Sequence, residues 1–378
     1  MTFFLLIFFL NNLDKLDSLI LEAKREVFNN IKKDVIYFLE NNYYLIVDTN
    51  DINYLKEAND IQELKRRLNY IQNKYHSEKH DYLFIRKKDI FEITDTIKEN
   101  NGIDSLSGKV IPGSLAMTYC YYFSGITPSK HKYIMKSNDV CFYYTKDNKI
   151  EVYISSYEIN RDFLNIILDL INSNQIYDTV VIDFRDNYGG LIDISFATIS
   201  LISCSFRIEL DYFSRDTIYY GQIFVISQRL SEPKCLRYNY LKIITNKNSA
   251  SASELITFKL KEKIPEVILE NKDGKTTGKR TVLRVFDLSS YYKKIKDNFI
   301  FNLRTYYNYY YPHYYDSLAD YINSKFEIMF SEYKDLIFTG TISVLLYKNP
   351  FNDKEDEFIE KYKKRARGEK VYISFIVF

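Results

Sequence analysis

An α/β core, preceded by a helical N-terminal region and followed by an α+β C-terminal part, is the fold class this sequence predicts. Three observations support it. From Ile150 onward, apolar strand-like runs alternate with helical stretches. Before Gly102 there is no glycine, and apolar residues recur three and four apart. Beyond about residue 281 strand-like and helical segments mix without regular alternation.

The chain has 378 residues, 46% hydrophobic and 27% charged, the balance of a folded globular protein. We expect a helical N-terminal region over 1–95, a short β-rich or reduced insert over 96–149, an α/β core over 150–290 and a C-terminal part over 291–378 that completes the core.

The N-terminal region shows the 3.6-residue period at Leu13, Leu16, Leu19 and Ile20, and again at Leu64, Leu68 and Ile71. Ahead of it, Phe3 to Leu10 form an eight-residue apolar run, too short to span a bilayer. Its length suits the h-region of a secretory signal, but no positive n-region precedes it and no A-x-A site follows. A buried apolar start to the fold is the alternative. Gly102, Gly108, Gly113 and Gly125, with Pro112 and Pro128, predict turns and short strands in the insert.

Within the core, IEVYISSY reads as a strand, RDFLNIILDLINSN as a helix and TVVIDF as a strand that runs into Gly189 and Gly190. A second helix is expected over about 191–203. GQIFVI and YLKIIT read as strands, and SELITFKLKEKI as a helix stopped by Pro265. In the C-terminal part NFIFNL, TISVLLY and KVYISFIVF read as strands, with helices around 316–334 and 353–366.

Net charge is +2, with lysines interleaved among acids, so a nucleic-acid partner is not expected. Cys120, Cys141, Cys204 and Cys235 show neither C-x-x-C nor zinc-like spacing, so neither a metal site nor a disulfide framework is indicated. His76 and His80 could share a helix face at i, i+4, but no third ligand is identifiable. The tyrosine run TYYNYYYPHYY at 305–315 reads as strand and loop; a peptide groove is its other reading.

The segment from Ser249 to Lys279 carries the most chemistry. Small residues crowd the junction where YLKIIT gives way to a helix, a place with unpaired backbone N–H groups and a positive dipole. Such a junction favours a serine that develops negative charge. Ser251-x-x-Glu254 before an apolar stripe is equally the pattern of a capping box, and the segment alone does not separate the two readings.

SASASE, followed by TTGKRTV and preceded by VVIDFRDNYGG, resembles the paired serine and lysine signatures and the glycine-ended strand of the tail-specific (C-terminal processing) serine peptidases. The similarity extends over about 150–285. It implies a crotonase-like peptidase core, a nucleophile at Ser251, a base at Lys279 and an oxyanion hole from backbone N–H groups of Ala252 and the Gly189–Gly190 turn. It implies a protein or peptide substrate, no cofactor or metal, and weakly an extracytoplasmic setting. Too few residues lie between the helical region and Ile150 for the full PDZ domain many relatives insert.

A lysine accepts the serine proton only when neutral. Burial therefore has to lower its pKa from about 10.4 towards neutrality, ~4 kcal/mol between its protonation states. Val267, Ile268 and Leu269 suggest a desolvated strand nearby. Lys275 is the rival base, because Lys279 lies farther from Ser251 than the family spacing implies. Leu283 stands where many relatives carry a glutamine that orients the lysine. A catalytically silent homologue that binds peptides is the alternative function. Asp183, Arg185 and Asp186 are expected to form structural pairs, and Asn187 to shape the turn.

Overall fold

The computed structural model describes residues 2–75, 81–87, 132–133, 140–146, 150–156, 158–226, 234–310, 315–351, 355–366 and 369–377. In chain order the elements are α1 (Thr2–Asn41), α2 (Thr49–Lys56), α3 (Ile61–Tyr75), β1 (Leu83–Lys87), β2 (Lys132–Tyr133), β3 (Val140–Lys146), β4 (Ile150–Ser156), α4 (Arg161–Asn172), β5 (Tyr177–Asp183) and α5 (Ile192–Ser203). There follow β6 (Arg207–Ser214), β7 (Thr217–Ile226), β8 (Tyr238–Thr245), α6 (Ala252–Lys263), β9 (Ile268–Asn271), β10 (Thr281–Asp287), α7 (Ser289–Tyr310), α8 (Tyr315–Met329), β11 (Leu336–Leu346), α9 (Glu355–Arg365) and β12 (Glu369–Val377). The chain is thus a mixed α/β protein. His76 and His80, Cys120 and the glycine-rich stretch of the insert lie outside the described residues.

The chain folds as two compact units, each discontinuous in sequence: residues 1–90 with 283–343, and residues 91–282 with 344–378. In the first unit Ile20 and Ile31 of α1 and Leu64, Leu68 and Ile71 of α3 are fully enclosed, whereas Leu19, expected on the same stripe as Ile20, is 46% exposed. NFIFNL, expected as a strand, lies inside α7, and so do Tyr306 to Tyr310 of the tyrosine run. The reason is the longer-range period: Tyr292 packs at a tilt on Phe330, just past α8, and Phe299 on Phe326 of α8, so contacts at helical spacing outweigh a short aromatic run.

The second unit holds the expected alternation. Its main sheet has the order β2-β3-β4-β5-β8-β9, with β4, β5, β8 and β9 parallel. Ile154, Val180, Ile182 and Ile243 from the strands meet Phe163, Ile167, Leu255 and Ile256 from α4 and α6 in one core. Asn160 caps α4 by accepting from the Asp162 and Phe163 N–H groups. Helix α5 is buried all round from Ile194 to Ile202, as its nearly continuous apolar sequence requires. Elsewhere in this unit β6 pairs antiparallel with β7, and β12 lies parallel to β7.

Two expectations need correction. Cys204 and Cys235 form a disulfide, with Cα atoms 5.3 Å apart. Their separation of 31 residues carries no local signature; β6 and β7 turn back and bring the ends together. Strand β9 is the sheet edge and Ile268 is 52% exposed, so of the run Val267 to Leu269 only Val267 is buried. The strand ahead of the Lys279 loop is not desolvated.

Candidate active site

Parallel pairing of β5 with β8 brings their carboxyl ends side by side, the usual position for a site in an open α/β sheet. The chain leaves β5 through Phe184 to Gly190 and leaves β8 through Asn246 to Ser251. Phe184 N–H donates to Ile244 O at 2.8 Å, so the two turns start in register. Ser249 Oγ donates back to Phe184 O at 2.8 Å.

Asn187, fully buried, joins the turns. Its side-chain amide donates to Ser156 O at 2.7 Å, at the end of β4, and its Oδ1 accepts from Gly189 N–H at 2.9 Å. Its carbonyl accepts from Ala250 N–H at 2.8 Å. One side chain thus spends both ends of its amide holding the glycine turn, as a buried amide must if no polar atom is to be left unpaired. Beside it, Asp186 accepts from the side-chain amides of Asn246 and Asn248 at 2.9 and 2.6 Å. Buried Asp183 pairs with Arg185 at 2.5 Å and accepts from Tyr153 OH. These three charged residues are engaged as structural partners.

Ser251 precedes α6 with φ +59° and ψ −115°, a region that costs a non-glycine residue strain. Gly189 faces it directly: a Cβ on Gly189 would stand 2.6 Å from Ser251 Cβ and 3.1 Å from Ser251 Oγ. Gly189 and Gly190 have φ of +107° and +144°, and Gly190 lies against the Ile159 backbone, where any Cβ would collide. The structure therefore brings Ser251 and Gly189 together, with Gly190 packed on Ile159. Ala252 begins α6, so its N–H belongs to the first turn.

Glu254, one turn into the same helix and fully buried, ties the serine to the lysine segment. Its Oε2 accepts from the N–H groups of both Ser251, at 2.7 Å, and Lys279, at 3.0 Å. Its Oε1 accepts from Gly278 N–H at 2.8 Å and Thr276 Oγ1 at 2.5 Å. Thr277 N–H donates to Ser249 O at 3.0 Å, a second tie between TTGK and SASAS. Burial pushes the Glu254 carboxyl above its ordinary pKa, while the donors from Thr276, Gly278 and Ser251 and the Arg280 charge pull it back.

Lys279 is half-buried, and burial holds its amine below the ordinary lysine pKa, opposed by the Glu254 charge. Lys275 is exposed on the same loop; its carbonyl accepts from the Asn271 side-chain amide at 2.9 Å. Sequence reasoning treated Glu254 only as a capping partner and did not see that its second oxygen would reach the lysine loop. The signal was an acid four residues before Phe258 on α6, where an exposed charge is not expected beside a large apolar ring.

Residues 151–321 match the model of peptidase family S41. The resemblance carried by SASASE, TTGK and DFRDNYGG holds across this S41 segment, which contains Ser251, Lys279 and both glycines. No curated protein matches the chain. Among solved structures, a lipoprotein from Streptococcus agalactiae is 13% identical with a TM-score of 0.42, covering 89% of this chain and 96% of its own. A photosystem II D1 C-terminal processing protease is 11% identical with a TM-score of 0.41, covering 83% and 87%. A putative S41 protease from Bacteroides fragilis is 15% identical with a TM-score of 0.28, covering 38% and 40%. The matched residues, less than half of the chain, are thus similar to a family of peptidases. Among the described residues no helix is long and apolar enough to cross a membrane, and no group of three or more His, Cys, Asp or Glu could hold a metal ion.

Proposed function

We propose that the protein is a serine endopeptidase that hydrolyses protein substrates through an acyl-enzyme, with Ser251 as nucleophile and Lys279 as general base. The observation that carries this reading is the Glu254 Oε2 atom shared by the N–H groups of Ser251 and Lys279, which fixes the backbones of nucleophile and base against one another.

In this mechanism Ser251 Oγ attacks the scissile carbonyl carbon while the neutral Lys279 amine takes the hydroxyl proton. The tetrahedral oxyanion is held by backbone N–H groups at Ala252 and Gly190; Gly189 N–H is committed to Asn187 Oδ1, so Gly189 serves by letting the carbonyl approach without a Cβ. The lysinium then protonates the leaving amine, the acyl-enzyme forms, and water activated by the same amine releases the acid. Lys275 is exposed on the loop, whereas Lys279 is half-buried. We place the base on Lys279 for that reason. The crotonase-like description fits the parallel β4-β5-β8-β9 layer with its helices. The Cys204–Cys235 disulfide fits an extracytoplasmic, oxidising setting.

A second reading, a peptide-binding protein without hydrolysis, is favoured by Leu283 in place of an orienting glutamine. A serine-directed fluorophosphonate probe separates the two. The peptidase is labelled on Ser251, and Ser251→Ala is not; retained peptide binding without labelling of the wild type rejects hydrolysis.

A further inference from the structure

Thr276 does more than donate to Glu254. Its Oγ1 also accepts from the side-chain amide of Asn349 at 3.0 Å, a residue 73 positions later in the chain. Asn349 is buried, and its Oδ1 accepts from Phe351 N–H at 2.9 Å. A backbone N–H can only donate, so this bond fixes which end of the amide faces Thr276. The amide nitrogen therefore donates to Thr276 Oγ1. The single hydroxyl proton of Thr276 is then directed to Glu254 Oε1.

The segment that carries Asn349 is clamped to the helix that carries Glu254. Tyr347 and Phe351 both pack on Phe258, with ring centroids 5.9 Å away in each case. Phe258 lies four residues after Glu254 on α6, hence on the same helical face one turn on. The guanidinium of Arg280, next to Lys279, stacks on Tyr347 at 4.8 Å. Asn349 is thus held by aromatic packing at the point where its amide meets the carboxylate network.

We propose that Asn349, acting through Thr276, is a positioning residue for the Ser251–Lys279 pair: it orients the threonine hydroxyl, which locks the Glu254 carboxylate to which both backbones are bonded. The proposal rests on the assignment of Ser251 as nucleophile and Lys279 as base. None of SASASE, TTGK and DFRDNYGG includes Asn349, so a segment after β11 completes a site those motifs only begin.

The test is the second-order rate of fluorophosphonate labelling at Ser251 in the full chain, with thermal midpoints recorded in parallel. Asn349→Ala and Thr276→Val are expected to slow labelling by about tenfold or more, since small misplacements of reacting groups cost that much. Thr276→Ser, which keeps the hydroxyl, restores the rate to within about twofold of wild type. Asn349→Asp conserves shape but cannot donate, and is expected to be as slow as Asn349→Ala. As a control, Asn271→Ala loosens the other end of the same loop, where Asn271 bonds Lys275 O, and is expected to label within about twofold of wild type because it shares no partner with the network. Wild-type rates in Asn349→Ala and Thr276→Val, or equal slowing in Asn271→Ala, overturn the proposal and leave the hydrolase assignment standing. No labelling of the wild type overturns that assignment, and the positioning role with it.

Discussion

Gly189 and Ser251 are packed so closely that a Cβ on the glycine would lie 2.6 Å from the Cβ of the serine. The glycine also holds φ of +107°, a conformation that strains any other residue. Gly189→Ala is therefore expected to lower stability by about 1–3 kcal/mol and to displace Ser251. Denaturant melts and probe labelling check both effects; an alanine variant that melts and labels like wild type shows the contact is not needed.

Glu254 accepts four donors in a buried setting. Glu254→Gln keeps the size but turns one oxygen into an N–H₂ group, so at least one of the four donors faces another donor. The expected cost is about 1–3 kcal/mol for a buried donor left unpaired. Proteolytic sensitivity of the 272–280 loop should rise, measured by limited digestion with an unrelated protease.

The lowered pKa of Lys279 fixes the sign of the pH response. In the proposed mechanism the neutral amine is the active form, so hydrolysis should rise with pH through the Lys279 pKa, with the half-rise below 10.5, the ordinary lysine value. For stability, the unfolded chain holds the proton to higher pH than the folded one. Stability from this group is therefore lowest below the folded pKa and recovers as pH rises towards the unfolded pKa. Lys279→Met is expected to abolish hydrolysis without lowering the neutral-pH thermal midpoint. An acid limb at or above 10.5 contradicts the burial of this amine.

The Cys204–Cys235 disulfide closes a loop with a sequence separation of 31, for which chain entropy gives about 3–4 kcal/mol. It ties the end of α5, the helix that follows Gly190, to the segment that enters β8, the strand that leads to Ser251. Cys204→Ser with Cys235→Ser is expected to lose about that stability. Non-reducing peptide mapping should show the linked pair, and finding both as free thiols in protein folded under oxidising conditions contradicts the pairing.

Much of the α/β layer was legible because buried parallel strands and amphipathic helices leave unmistakable runs: VVIDF, YLKIIT and RDFLNIILDLI fall where their patterns put them. Local pattern failed where long-range packing decided. NFIFNL has strand-like composition, yet Tyr292 and Phe299 found partners only as one face of a long helix. Ser251 and Gly189 were legible through the three motifs, which fold onto one another because β5 and β8 are parallel neighbours. The disulfide, the Oε2 bridge from Glu254 to Lys279 and the contact of Asn349 with Thr276 depend on how distant segments meet, and no spacing rule encodes them.

Hydrolysis of a quenched fluorescent casein by wild type, Ser251→Ala, Lys279→Ala and Lys275→Ala tests the central assignment most directly. The Ser251–Lys279 mechanism predicts turnover by wild type and Lys275→Ala, and a loss of about 10²-fold or more in the other two, starting from the lower end of a general base's contribution. Activity that survives in Lys279→Ala but vanishes in Lys275→Ala, or persists in Ser251→Ala, contradicts it.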